Sequence, residues 1–157
     1  MTDIPYLTPL DEPALRALGI PEPWRYGRAD RTRFGELDAL AHINNTAYLR
    51  WLETFRIHYF RDYGISNYGP DDPRIVLRRV EADYLAEMLL EEDYVVTGRT
   101  RAMRRTSFTM DYAIFSGGTL RCTSSAVLVL LEQDGTKRPL SDEIRQTLIT
   151  RDGAAQG

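Results

Sequence analysis

The segment Arg33-Phe34-Gly35-Glu36-Leu37-Asp38-Ala39-Leu40-Ala41-His42-Ile43-Asn44-Asn45 leads from a polar turn straight into Tyr48-Leu49-Arg50-Trp51-Leu52-Glu53. Beyond the turn, Tyr48, Leu52, Phe55 and Tyr59 recur at spacings of four, three and four, the signature of one buried helix face. The spacing predicts one long helix over about residues 45–63, with Gly64 placed for a left-handed cap. Trp51, Ile57 and Phe60 widen its apolar surface well beyond a stripe. A helix so broadly apolar needs enclosure, so a sheet is expected to wrap it.

Upstream, Tyr26 to Gly35 has a strand-like pattern with enough charge for an edge position. Before it, Asp11 to Leu18 reads as a small helix with Asp11 as cap, Glu12 on the positive dipole end, Pro13 in the first turn and Gly19 at its close. Pro21 and Pro23 then interrupt the chain. Residues 1–25 are therefore expected to form an N-terminal extension packed on the domain rather than a second domain.

Downstream of a polar loop from Tyr68 to Pro73, four strands are predicted at about residues 74–84, 94–103, 106–115 and 120–131. The third is clearest: Phe108, Met110, Tyr112 and Ile114 alternate with Ser107, Thr109, Asp111 and Ala113. Ser116-Gly117-Gly118 makes a hairpin and Asp134-Gly135 a second turn. Ser141, followed by Asp142 and Glu143, caps a short C-terminal helix ending near Leu148, and the tail from Thr150 is expected to fray. The class is α+β: one helix against a curled, five-stranded antiparallel sheet, a single domain over 26–149 and a flexible tail over 150–157.

Composition narrows the function classes. The 157 residues suit one domain, and 43% hydrophobic residues can build a real core. A net charge of −3 leaves no basic footprint for nucleic acid. The N-terminus lacks the basic and apolar regions of a signal peptide, and no stretch reaches the roughly 18 apolar residues of a membrane span. A soluble cytoplasmic protein is expected. Cys122 is the single cysteine and His42 and His58 the only histidines, which suits a reducing compartment and argues against a structural metal. Cys122 lies in an alternating apolar strand and reads as inert core.

The turn itself carries the candidate chemistry. Glu36 and Asp38 lie two residues apart at the mouth of the helix, where the opening turn near Asn44 to Ala47 offers unpaired N–H groups and a positive dipole end. Those amides suit a developing oxyanion, and a neighbouring carboxylate can attack a carbonyl or activate water. Each residue also has a plain explanation. Acids before helices usually cap or face solvent, His42 alone is commonly a hydrogen-bonded loop residue, and Asn44 and Asn45 are ordinary cap and turn residues.

Phe34 through Tyr48, F-G-E-L-D-A-L-A-H-I-N-N-T-A-Y, resembles the 4-hydroxybenzoyl-CoA thioesterase and acyl-CoA thioester hydrolase group of the hotdog superfamily. Its pattern is roughly an aromatic, then x-D-x-D-x-x-G-H-V-N-N-x-x-Y and an aromatic-rich helix. The strand R-R-T-S-F-T-M-D-Y-A-I-F is similar to the family's penultimate long strand, and the likeness covers about residues 26–148. It implies a hotdog fold and a metal-independent hydrolase acting on an acyl- or aryl-CoA thioester. Coenzyme A would be part of the substrate and not a cofactor. The family's catalytic aspartate falls on Asp38, and the amide polarising the thioester carbonyl on Asn45. Glu36 falls on an acidic position for which a structural bond is expected, with His42 and Asn44 in support. The usual glycine before the histidine is Ala41, which takes a positive φ less cheaply.

The resemblance further implies a homodimer, or a dimer of dimers, with sheets paired edge to edge and the substrate arms at the interface. Tyr48, Trp51 and Phe55 are candidate acyl-pocket residues whose helical spacing favours plain core. Arg101, Arg104 and Arg105 beside Ser107 form the candidate cluster for the nucleotide phosphates, with a solvated strand end as the other reading. Two rivals stand beside hydrolysis: an acyl-CoA-binding protein without turnover, and an enoyl-CoA hydratase. The latter's Asp and His pair sits in a different local motif from Asp38 and His42.

Overall fold

The hydrophobic periods of the sequence order the elements. A computed structural model describes residues 3–157 and places α1 at Glu12–Ala17, β1 at Gly27–Arg31, a 3-10 turn at Phe34–Glu36, α2 at Asn45–Asp62, β2 at Arg74–Tyr84, β3 at Asp93–Met103, β4 at Ser107–Ser116, β5 at Thr119–Leu131, α3 at Asp142–Asp152 and β6 at Ala155–Gln156. Asp11 caps α1 by accepting from the Ala14 N–H, and Ser141 caps α3 by accepting from Ile144. The sheet order is β1-β3-β4-β5-β2, with β6 beside β3. β1 runs antiparallel to β3 with Gly27 opposite Thr97, and β6 runs parallel to β3. None of the described helices is long and apolar enough to cross a membrane.

The structure corrects several expectations. The sheet has six strands where five are expected, because the tail is not frayed. α3 continues past Leu148 to Asp152, Gly153 turns the chain at φ 68°, and Ala155–Gln156 pair with Ala102–Met103. β1 ends at Arg31 instead of reaching Gly35, because Arg33 to Glu36 closes into the 3-10 turn. Ile57 does not widen the buried face of α2, being 38% exposed.

Contacts group the chain into two compact units. The first comprises residues up to Phe55 with Ala82–Arg99 and Tyr112–Ser124; the second comprises Arg56–Glu81, Thr100–Asp111 and Ser125–Gly157.

In the first unit the sheet is covered on both faces. On one, Trp51 of α2 stacks on Tyr94 with ring centroids 3.9 Å apart, and Phe55 meets Tyr26 and Tyr112 edge-on at 5.5 and 6.1 Å. Gly98 permits this approach, since a Cβ there would lie 2.4 Å from the Phe55 ring. On the other face Ala29, Val95, Ala113 and Phe115, which alternate with the residues under α2, are buried by Leu10, Leu15 and Ile20 of the N-terminal segment. Burying a leucine such as Leu15 contributes about 2 kcal/mol. The same segment pairs the outer edge of β1: Leu7 donates to the Ala29 carbonyl, while Leu10 and Gly27 exchange both backbone bonds.

In the second unit Phe60 of α2 packs edge-on against Phe108 at 6.0 Å, and Tyr59 stacks on Tyr63 at 4.0 Å. Asp152, only 5% exposed, accepts hydrogen bonds from the Tyr59 hydroxyl, the Tyr63 hydroxyl at 2.6 Å and the Thr100 N–H at 2.7 Å.

Candidate active site

The loop before α2 is closed mainly by hydrogen bonds within itself, with the Ile43 N–H tied to the Met88 carbonyl at 2.8 Å. The Glu36 N–H donates to the Arg33 carbonyl at 2.9 Å, and the Arg33 N–H donates to Glu36 Oε1 at 2.7 Å, closing the 3-10 turn from both ends. Leu37 and Ile43 then bridge antiparallel, the Asp38 N–H donates to the His42 carbonyl at 2.8 Å, and the Ala41 N–H donates to the Asp38 carbonyl at 3.1 Å. So tight a reversal needs a left-handed residue, and Ala41 supplies it at φ 60°. A non-glycine residue there costs roughly 1–2 kcal/mol.

Asp38 is half-buried inside this reversal. Its Oδ1 accepts from the Leu40 N–H at 2.9 Å and the His42 N–H at 3.2 Å. Among the described residues no donor is placed on Oδ2. Two amides therefore fix the orientation of the carboxylate, and the other oxygen keeps its lone pairs unused among the described residues.

Glu36 is used differently. Its Oε2 accepts from Trp51 Nε1–H at 2.6 Å, and its carbonyl accepts from the Asn44 N–H at 2.8 Å. Asn44 caps α2, its Oδ1 accepting from the Thr46 N–H at 2.9 Å and the Thr46 hydroxyl at 3.0 Å. Asn45 is the first helical residue, where an N–H has no intrahelical acceptor. Its carbonyl accepts from the Tyr84 hydroxyl at 3.1 Å. His42 sets Nε2 3.1 Å from Glu87 Oε2, an ion pair only when the imidazole is protonated.

Tyr48 is buried, packing on Trp51 and Tyr84 with centroids 5.0 and 5.2 Å apart. Burial pushes its hydroxyl up to about 12, so it stays protonated at neutral pH. Burial likewise pushes the Cys122 thiol up to about 11, in keeping with an inert core residue. Phe34 and Leu40, flanking the Asp38 turn, are 79% and 74% exposed.

The arginine cluster is only partly as expected. In the second unit a cleft of about 270 Å³ is lined by Arg78, Arg79, Arg104, Ser107, Thr109 and Val127. Arg104 and Ser107 belong to it, but Arg101 and Arg105 do not. Arg101 turns to Asp111, 3.0 Å from its Nε. Arg105 holds Leu140 through its backbone carbonyl. Arg78 and Arg79 of β2 take their places, and the doublet was visible in the sequence; what strand pairing would set beside it was not. Among the described residues no three His, Cys, Asp or Glu side chains are grouped to hold a metal ion.

Comparison with known proteins gives this arrangement a family. A thioesterase-superfamily protein from Jannaschia sp. CCS1 is 49% identical, with 96% of this chain and 97% of that one covered at a TM-score of 0.93. A thioesterase from Thermus thermophilus, solved with coenzyme A and zinc, is 32% identical over 85% of this chain and 98% of its own at a TM-score of 0.74. Protein YsmA of Bacillus subtilis (strain 168), itself uncharacterised, is 25% identical over 119 residues, 74% of this chain and 80% of that protein. Residues 32–148 match the family model of the thioesterase-like superfamily. That span holds the Asp38 turn, α2 and strands β2 to β5, and the chain belongs to the thioesterase-like superfamily.

Proposed function

We propose that this protein is an acyl-CoA thioesterase of the 4-hydroxybenzoyl-CoA thioesterase type, hydrolysing an acyl- or aryl-CoA thioester to the free acid and coenzyme A. The observation that carries the reading is Asp38: a carboxylate held by two loop amides through one oxygen, with no donor on the other among the described residues, on the loop that leads into α2. Oδ2 either attacks the thioester carbonyl or takes the proton of an attacking water. The Asn45 N–H, at the positive end of α2, stabilises the developing oxyanion. The carbon–sulfur bond then breaks, and coenzyme A leaves as a thiolate that needs no strong acid; on the nucleophilic route water then hydrolyses the acyl–Asp38 anhydride, which releases the free acid and restores the carboxylate. Every step is assigned to this chain's own groups and water, without a metal ion.

The nucleotide phosphates are assigned to the cleft of Arg78, Arg79, Arg104 and Ser107, since guanidinium groups pair with phosphate oxygens in two-pronged fashion. The working form is taken as a homodimer, or a dimer of dimers. β2 is the assigned seam because it ends the sheet order and exposes Val76, Leu77 and Tyr84. A second subunit and the acyl arm would also cover Phe34 and Leu40. The protein is assigned to the cytoplasm.

Binding without turnover is the second reading, favoured by Ala41 at a positive φ where the resembled family pattern has glycine. A panel of acyl- and aryl-CoA esters with thiol detection separates the two. Thiol release by wild type and its loss in Asp38→Asn support hydrolysis; tight binding with no release supports the alternative.

A further inference from the structure

We propose that Glu36 is a positioning residue for Asp38, acting through a clamp on the indole of Trp51; the inference rests on the thioesterase reading above. All three oxygens of Glu36 are engaged, each by a different segment. Oε1 takes the Arg33 N–H at 2.7 Å, Oε2 takes Trp51 Nε1–H at 2.6 Å, and the carbonyl takes the Asn44 N–H at 2.8 Å. A local turn cap needs only the first of these bonds. The second reaches 15 residues along the chain into α2.

Trp51 is a fixed post. It is 6% exposed, and its ring stacks on Tyr94 at 3.9 Å with an interplanar angle of 18°, so its N–H cannot swing to another acceptor. The clamp therefore straps the start of the Asp38 loop to α2, while the bond from Asn44 straps its end. Between the straps the Leu37 to Ile43 bridge and the Asp38 to His42 bond carry that constraint to the carboxylate. The Asp38 oxygen and the Asn45 amide are thus referred to one rigid element. Misplacement by about 1 Å can cost on the order of 100-fold in rate.

Two substitutions test the clamp. Glu36→Gln keeps the size but turns one amide nitrogen toward a donor, so one of the two side-chain bonds is lost. Trp51→Phe keeps a ring on Tyr94 and removes the N–H. Each is expected to lower kcat for acyl-CoA hydrolysis by roughly 10- to 100-fold, with KM within about threefold. With a single oxygen left, the Gln is expected to keep the Arg33 N–H of its own turn and lose Trp51, so both substitutions break the Glu36 to Trp51 bond and the double variant is expected to match the worse single one. The chain has two tryptophans, so Trp51→Phe assigns the indole proton resonances. The Trp51 signal is expected downfield in wild type, shifted in Glu36→Gln and unmoved in Asp38→Asn. An active wild type with kcat unchanged in Glu36→Gln, a loss confined to KM, additive single effects, or an indole signal indifferent to Glu36 would each overturn the clamp alone. A wild type that releases no thiol from any ester overturns the hydrolase reading, and the clamp with it.

Discussion

The two ends of α2 are each tied to carboxylates, and the ties are of opposite kinds. At the C-terminal end Asp152 is buried, and its two oxygens take three donors from Tyr59, Tyr63 and Thr100. At the N-terminal end Glu36 is spent in the same way, on Arg33 and Trp51, but Asp38 two residues later keeps an oxygen with no donor among the described residues. Burial alone would have chosen Asp152 as the unusual acid. Unused acceptor capacity chooses Asp38. A carboxylate whose bonds are all made inside the protein can fasten; one with a bond in reserve can react.

The largest effect on stability is expected from Asp152→Ala. Two buried hydroxyls and one buried amide lose their acceptor, which destabilises by about 3 kcal/mol in urea unfolding. Asp38→Ala, whose carboxylate serves two partly exposed loop amides, is expected to cost about 1 kcal/mol while removing activity. Equal stability losses from the two would erase the difference between a fastening and a reacting carboxylate.

A second measurement sharpens it by pH. Burial raises the pKa of Asp152 above the ordinary aspartate value, against the opposing pull of its hydrogen bonds from Tyr59, Tyr63 and Thr100. A raised folded-state pKa means that the folded protein binds the proton more tightly than the unfolded chain. This group's contribution is therefore fully present below the ordinary aspartate pKa and is lost as pH rises through its raised value. Unfolding free energies between about pH 4 and 8 should show wild type gaining on Asp152→Asn as pH falls. A difference that grows in the other direction would contradict the assignment.

The smallest effect belongs to the loop. Ala41→Gly relieves the left-handed strain but loosens the unfolded chain, for a net gain of about 0.5 kcal/mol. Thermal unfolding reads this directly. A loss of stability would mean that the alanine methyl makes contacts worth more than the strain.

Much of this was legible in the sequence because it depends on local period and local caps. The four–three–four spacing of Tyr48, Leu52, Phe55 and Tyr59 is the buried face of α2, and Asp11, Gly64 and Ser141 fall where elements start or stop. Ala41 stands where the pattern asks for glycine and adopts the positive φ that glycine would take. What escaped notice depends on partners distant in the chain. Asp152 reads as a solvated acid near a terminus until Tyr59 and Tyr63 are seen around it. Trp51 reads as core, and nothing in its neighbours announces a bond to Glu36. Arg101 and Arg104 are close in sequence, yet Arg101 pairs with Asp111, and the cleft instead draws Arg78 and Arg79 from another strand. Ala113 and Phe115 sit at positions that alternation alone would expose, and are buried because the N-terminal segment covers the second face.

The decisive measurement is the hydrolysis rate of Asp38→Asn against wild type on the best ester of an acyl- and aryl-CoA panel, with both proteins shown to be equally folded. Replacing the open carboxylate oxygen by an amide should lower kcat by about 100-fold or more. Retention of most of the wild-type rate would mean that the reacting oxygen lies elsewhere.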